Sequence, residues 1–150
     1  MIAIGSDHGG FELKEALKKH LDSIGVQYED FGCYDTNSVD YAFIAKKVCD
    51  SIVEGKCEKG ILVCGTGIGM SMAANKVKGI RAAVCGDCFS AKFTRLHNDA
   101  NVCCLGARVV GPGLACEIVD LYLNTPFEGG RHARRVAQIA EIENGTFKAE

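Results

Sequence analysis

Short apolar runs alternate with longer segments of helical periodicity almost from one end of the chain to the other. Ile2-Ala3-Ile4-Gly5 reads as a strand. Phe11, Leu13, Ala16, Leu17, Leu21 and Ile24 follow at the spacing of one helix face, and Gly25 stands where that helix must stop. Residues 26–31 make a second strand and 32–38 a polar loop. Asp40 is placed to cap a helix running to residue 54, which Gly55 ends. A third strand covers 61–64, a helix 70–77, a fourth strand 80–85, a helix 89–96 and a fifth strand 102–105. Pro112 opens a helix to Asn124; Pro126, Gly129 and Gly130 break the chain, and a final helix covers 131–143.

Strands separated by helices imply a parallel sheet with helices on both faces, hence one α/β domain over residues 1–150. No repeat, low-complexity tract or linker divides it. With the strand order 2-1-3-4-5, the switch point falls between strands 1 and 3, and ligands bind there at the carboxyl ends of the strands. Two glycine-rich loops meet at that crevice: Ser6-Asp7-His8-Gly9-Gly10 and Cys64-Gly65-Thr66-Gly67-Ile68-Gly69.

Composition narrows this picture only at its margins. An apolar share of 47% and a charged share of 24% are those of an ordinary globular domain. A net charge of −2 gives no basis for binding nucleic acid or an anionic membrane surface. The amino terminus turns polar too early for a signal peptide and no run is long enough to span a bilayer, so the expected location is cytoplasmic. In that setting the nine cysteines are expected to be reduced. Strand alternation sends the adjacent Cys103 and Cys104 to opposite faces, while Cys49 and Cys116 fall in helical patterns and act as small apolar groups. Cys85-Gly86-Asp87-Cys88 is a single Cys-x-x-Cys without a second pair for zinc, and its strand–helix order is not that of a thioredoxin.

Five features carry candidate chemistry. Cys64 ends a buried strand and faces N–H groups at a helix start, which bind anions and favour a thiolate. It reads either as a base or nucleophile beside an anion hole, or as an inert cysteine in a tight turn. The loop is neither a dinucleotide fingerprint, since Met70 replaces the third glycine, nor a Walker loop, since it lacks the lysine. Successive N–H groups suit an enolate-like oxygen better. Asp7 and His8 suit a polar ligand, or else merely cap a helix and meet solvent. His97-Asn98-Asp99 ends the fourth crossover helix near the ligand edge of this sheet or of a partner's; His97 is either a proton donor and acceptor or a surface helix end. Arg131 and Arg135, four apart, share a face that can clamp a dianion, with Arg108 as a third cation; the alternative is a solvated basic face.

The motifs Gly5-Ser6-Asp7-His8-Gly9-Gly10-Phe11, Asp40-Tyr41, Cys64 to Gly69, Ala73-Ala74-Asn75-Lys76, Gly79-Ile80-Arg81-Ala82, His97 to Asn101, Gly106-Ala107-Arg108-Val109 and Glu128-Gly129-Gly130-Arg131-His132 span residues 4–143. In them the chain resembles the type B ribose-5-phosphate isomerases, a family that also holds the galactose-6-phosphate isomerase subunits. The resemblance implies a Rossmann-like three-layer fold and a homodimer, or a tetramer of two dimers, whose sites form between subunits and receive helix 131–143 from the partner. It implies Cys64 as the base between C1 and C2, and the N–H groups of Gly65, Gly67, Ile68 and Gly69 with Thr66 as the hole for the enediolate oxygen. His97, helped by Asp7, would open the furanose ring, Asn98 would bind hydroxyls, and His8, Arg108, Arg131 and Arg135 would bind phosphate. No metal or other cofactor is expected. The activity so implied is interconversion of ribose 5-phosphate and ribulose 5-phosphate in the non-oxidative pentose phosphate pathway. Alternatives are isomerisation of a six-carbon sugar phosphate and a non-catalytic module that binds a sugar phosphate or nucleotide.

Overall fold

Three strands are apolar along almost their whole length: β1 (Ile2–Ser6), β3 (Lys59–Cys64) and β5 (Val102–Gly106). In the computed structural model, which describes residues 1–149, every residue of these strands except Lys59 is buried. Strands apolar on both faces need helices on both sides. Helices α1 (Phe11–Ser23) and α5 (Pro112–Asn124) cover one face, and α2 (Tyr41–Val53) and α3 (Ile68–Ala74) cover the other. Helix α4 (Cys88–Asn98) packs beside α5, and α6 (Arg131–Asn144) lies against α4.

Strand alternation divides the core in two. Ile4, Ile61, Val63, Cys103 and Leu105 pack under α1 and α5, while Ala3, Leu62, Cys64, Val102 and Cys104 pack under α2 and α3. Cys103 and Cys104 therefore do face opposite ways. All nine cysteines are free thiols. Burial pushes Cys49 up to about 12 and raises Cys104 and Cys116, so these thiols pack as protonated apolar groups. Among the described residues, no helix is long and apolar enough to cross a membrane.

The sheet is wholly parallel, with the order β2 (Tyr28–Asp30)–β1–β3–β5–β4 (Ala82–Val84). The Rossmann-like three-layer architecture stands, but the order 2-1-3-4-5 does not: β5 lies between β3 and β4. Burial explains the exchange. The five residues of β5 carry apolar side chains for both faces, whereas β4 is three residues long, only partly buried, and ends in the exposed Val84. The strand that can fill both layers takes the interior, and the short one takes the edge. Helix α3 also begins at Ile68, two residues before the expected start at Met70. Asp40 occupies the N-cap of α2, although its side chain makes no capping hydrogen bond.

Candidate active site

The carboxyl ends of β1, β3 and β5 present one group of candidate residues. Cys64 is the last residue of β3, and its Sγ accepts a hydrogen bond from Gly67 N at 3.1 Å. Gly67 can turn the chain back onto the sulfur because its φ is +78°, in the left-handed region open to glycine. Thr66 Oγ1 accepts from Ile68 N at 3.3 Å, which leaves the threonine hydroxyl proton to point elsewhere. Two of the N–H groups expected to form the anion hole, those of Gly67 and Ile68, are thus engaged inside the loop in this state.

The other glycine-rich loop abuts this one. A β-carbon on Gly9 would lie 3.5 Å from Gly65 N, and one on Gly65 would lie 3.6 Å from Arg108 Cδ. Asp7 is buried; its Oδ1 accepts from Gly10 N at 3.0 Å and caps the turn that leads into α1. Its Oδ2 has no hydrogen bond among the described residues, so capping leaves one oxygen for a ligand. His8 Nδ1 accepts from Val39 N at 3.2 Å, which puts the ring proton of the neutral tautomer on Nε2, a donor for an anion. His8, Glu12, Thr36 and Arg108 line one cleft of about 410 Å³. Asp7, His8, Cys64, Gly65, Thr66 and Arg108 are brought together as the sequence suggested.

Gly106, at the end of β5, supports the loop from below. A β-carbon there would lie 2.7 Å from the carbonyl carbon and oxygen of Thr66. Gly106→Ala is expected to displace the Thr66 backbone and lower kcat about a hundredfold, because a shift near one ångström in a reacting geometry has that effect. Steady-state kinetics on folded Gly106→Ala protein check this; unchanged kcat would show the loop position to be irrelevant.

His97, Asn98, Arg131 and Arg135 form a second group, which one chain does not join to the first. Helix α4 returns from the carboxyl end of β4 to the start of β5, and Arg81, just before β4, donates to the carbonyls of Asn98 and Asp99. His97 and Asn98 thus lie toward the amino ends of β4 and β5, away from Cys64. Of the two placements expected for this segment, the edge of its own sheet is ruled out. His97, Asn98, His132 and Arg135 line a small cleft of about 210 Å³.

Sequence reasoning missed three residues of these two groups. Tyr41 presses its ring on Gly69, where a β-carbon would meet Cζ at 2.9 Å. The Asp40-Tyr41 motif carried that signal. His132 stacks on His97 with ring centroids 4.0 Å apart, and Glu128 Oε2 lies 3.7 Å from His97 Nε2 and 3.8 Å from His132 Nε2. Their signal was proximity in sequence to Arg131. Cys85 and Cys88 are both free thiols; burial and Glu117, whose Oε2 is 3.7 Å from Cys88 Sγ, raise the Cys88 thiol, while a hydrogen bond with Cys103 lowers that of Cys85.

A Rossmann-like sheet with a buried thiol in a glycine loop, and no dinucleotide fingerprint, is suited to acid–base chemistry on a small anionic ligand. Comparison with known proteins makes the class specific. The Ribose/Galactose Isomerase family matches the chain over residues 2–139. The chain is 48% identical over 142 residues to ribose-5-phosphate isomerase B of Escherichia coli (strain K12), covering 95% of each protein. It is 44% identical over 145 residues to D-erythrulose-4-phosphate isomerase of Pectobacterium atrosepticum, again covering 95% of each. The solved structure of Clostridium thermocellum ribose-5-phosphate isomerase B matches with a TM-score of 0.95 at 51% identity, over 96% of this chain and 97% of that one. The chain belongs to the ribose/galactose isomerase family and is an isomerase.

Proposed function

We propose that this isomerase interconverts D-ribose 5-phosphate and D-ribulose 5-phosphate, within the non-oxidative pentose phosphate pathway of the cytoplasm. The observation that carries the reading is Cys64 itself: a thiol at a strand end, contacted by Gly67 N–H, with Asp7, His8 and Arg108 around the same crevice. Cys64 removes the proton from C2 of the open-chain aldose and returns it to C1. The Thr66 hydroxyl and the N–H groups of the loop from Gly65 to Gly69 hold the enediolate oxygen that develops between these steps. Those of Gly67 and Ile68 must leave their present acceptors to join in.

His97 opens the furanose ring with help from Asp7, and Asn98 holds hydroxyls. His8 and Arg108 bind phosphate with Arg131 and Arg135 of a second copy. The protein is accordingly a homodimer in which each site takes its thiol loop from one chain and its His97 and arginine helix from the other. Two observations support the exchange. The two residue groups are separated in one chain, and α6 leaves Ile139 and Ile142 exposed at 47% and 64%. The nine free thiols fit a reducing compartment.

Turnover across four-, five- and six-carbon aldose phosphates, with a metal chelator present, tests the substrate assignment. Ribose 5-phosphate is expected to give the highest kcat/KM. The four-carbon arm is included because of the erythrulose-phosphate relative, and the six-carbon arm because the family name includes galactose. A higher kcat/KM on either, or activity lost to the chelator, would overturn the assignment.

A further inference from the structure

His97 does not stand alone. Glu128 and His132 of the same chain close around it, and the isomerase scheme so far gives neither a part. The loop bearing Glu128 is fixed to the last turn of α4 by Glu128 N donating to Leu96 O at 3.1 Å. Glu128 Oε2 then lies 3.7 Å from His97 Nε2 and 3.8 Å from His132 Nε2. The imidazoles stack with centroids 4.0 Å apart and planes 12° from parallel, and the Phe93 ring packs against His97 with centroids 4.9 Å apart and planes 81° apart. His132 is buried at 6% exposure, and its Nε2 has no hydrogen-bond partner.

Such a trio has the spacing of a metal site, but its geometry disfavours one. Nearly parallel rings direct their lone pairs alongside each other rather than to a common point, and Arg135 lines the same cleft with positive charge. We propose instead that Glu128 and His132 are positioning residues for His97: they fix its ring plane and make it the member of the trio that carries a proton. The proposal rests on the isomerase function proposed for this chain.

The chemistry of ring opening gives this arrangement a purpose. The anomeric O1 proton must leave to a base, the C1–O4 bond must break, and O4 must receive a proton. His97, helped by Asp7, does both in turn, passing through an imidazolium. Two imidazoles in van der Waals contact cannot both be cationic without strong repulsion, so one of the pair must stay neutral. Burial, then the charge of His97, with Arg131 and Arg135 adding to both, lowers the affinity of His132 for a proton; Glu128 acts against them. His132 therefore stays neutral as a flat stacking partner while His97 passes through its imidazolium during ring opening. Glu128 supplies the counter-charge, as an orienting carboxylate does behind a catalytic histidine. The titratable and charged groups around His97 from other elements are Glu128, His132 and Arg135, with Cys85, just after β4, lining the cleft on its other side.

Substrate chemistry separates this role from that of the base. Ribulose 5-phosphate is acyclic, because the hydroxyl that would close its furanose ring carries the phosphate. Exchange of its C1 proton with solvent deuterium needs only the base and the enediolate hole. Net conversion of ribose 5-phosphate needs ring opening as well. Glu128→Gln and His132→Phe are therefore expected to lower kcat/KM for ribose 5-phosphate about tenfold to a hundredfold, the scale of lost support to an acid–base group, while sparing that exchange. The loss falls on kcat for ribose 5-phosphate and leaves KM close to that of wild type, because neither side chain is a phosphate ligand in the proposed site.

Glu128 is exposed at 56%, so its substitution does not threaten folding, and Glu128→Asp serves as the conservative rescue. Should His132→Phe fail to fold, His132→Asn supplies the second arm. Exchange that falls in step with turnover, a loss carried by KM instead of kcat, or a Glu128→Gln loss that Glu128→Asp does not restore, overturns the proposal. A wild-type protein that exchanges no deuterium into ribulose 5-phosphate would instead overturn the functional reading on which the proposal stands.

Discussion

Cys64→Ala is expected to reduce turnover of ribose 5-phosphate by about 10²- to 10⁴-fold, the range for loss of a positioned general base. Substrate affinity should remain largely intact. In the proposed mechanism the thiol meets the ligand through a proton in transit, whereas the proposed binding groups are His8, Asn98 and the arginines. Sγ is small and lies at the edge of the core under α2 and α3, so removing it costs about 1 kcal/mol or less of stability. A large loss of rate with a small change in melting temperature therefore marks a chemical role. Solvent-deuterium exchange into ribulose 5-phosphate should vanish with turnover, in contrast to the Glu128 and His132 variants. Cys64→Ala protein that retains wild-type exchange would remove the thiol from the mechanism.

The second large effect concerns a buried charge under helix α1. Lys14 Nζ is fully buried and lies 2.7 Å from both oxygens of Asp30, and it also donates to Cys33 O. Lys18 reaches Asp30 Oδ2 at 2.8 Å. Lys14→Met leaves Asp30 with only Lys18 and the Gly32 N–H as partners, and stability is expected to fall by about 3 kcal/mol, as for one half of a buried pair removed. For a domain of this size that is about 6–12 °C in Tm. Asp30→Asn in the same protein should recover part of the loss, since the orphaned carboxylate is its source. A Tm within the error of wild type would show that Asp30 does not depend on the Lys14 charge.

Acid titration offers an independent reading of the same network. Burial opposes the charge on Asp30 more than any other single influence, yet Lys14, Lys18 and Gly32 N–H together hold the carboxyl below its ordinary value. A carboxyl lowered on folding stabilises the native state above its unfolded pKa of about 3.9 and loses that contribution as pH falls through the folded value. Wild type should therefore lose stability steeply below about pH 4, and Lys14→Met less so. The network also anchors the segment after β2 that delivers Val39 N to His8, so it links core electrostatics to the phosphate cleft.

The elements were legible in the sequence because each is a local periodicity. Residues 61–64 and 102–105 announced themselves as buried strands by continuous apolar runs, and Gly25 and Gly55 marked helix ends through the positive φ that the structure gives them. The lateral order of β4 and β5 was not legible. Residues 82–85 are as continuously apolar as 102–105, and only the competition for both core layers shows that Ala82 and Ala83 leave β4 at the edge. The Cys64 and Asp7 loops were readable because strand ends bring them together whatever the neighbours do. His97 was harder, since its distance from Cys64 depends on the direction in which α4 crosses. The Glu128 contact was out of reach: Gly129 and Gly130 turn with φ of +69° and +56°, and no periodicity foretells where such a loop sets a side chain.

One measurement addresses the central claim, a sugar-phosphate isomerase whose site joins Cys64 of one chain to His97 of another. Cys64→Ala and His97→Asn proteins, each inactive alone, are unfolded, mixed in equal amounts, refolded together and assayed with ribose 5-phosphate. Random pairing makes half of the dimers mixed, each with one intact site of two, so about a quarter of wild-type activity should return. A mixture that stays as inactive as its components would contradict the shared site and the mechanism built on it.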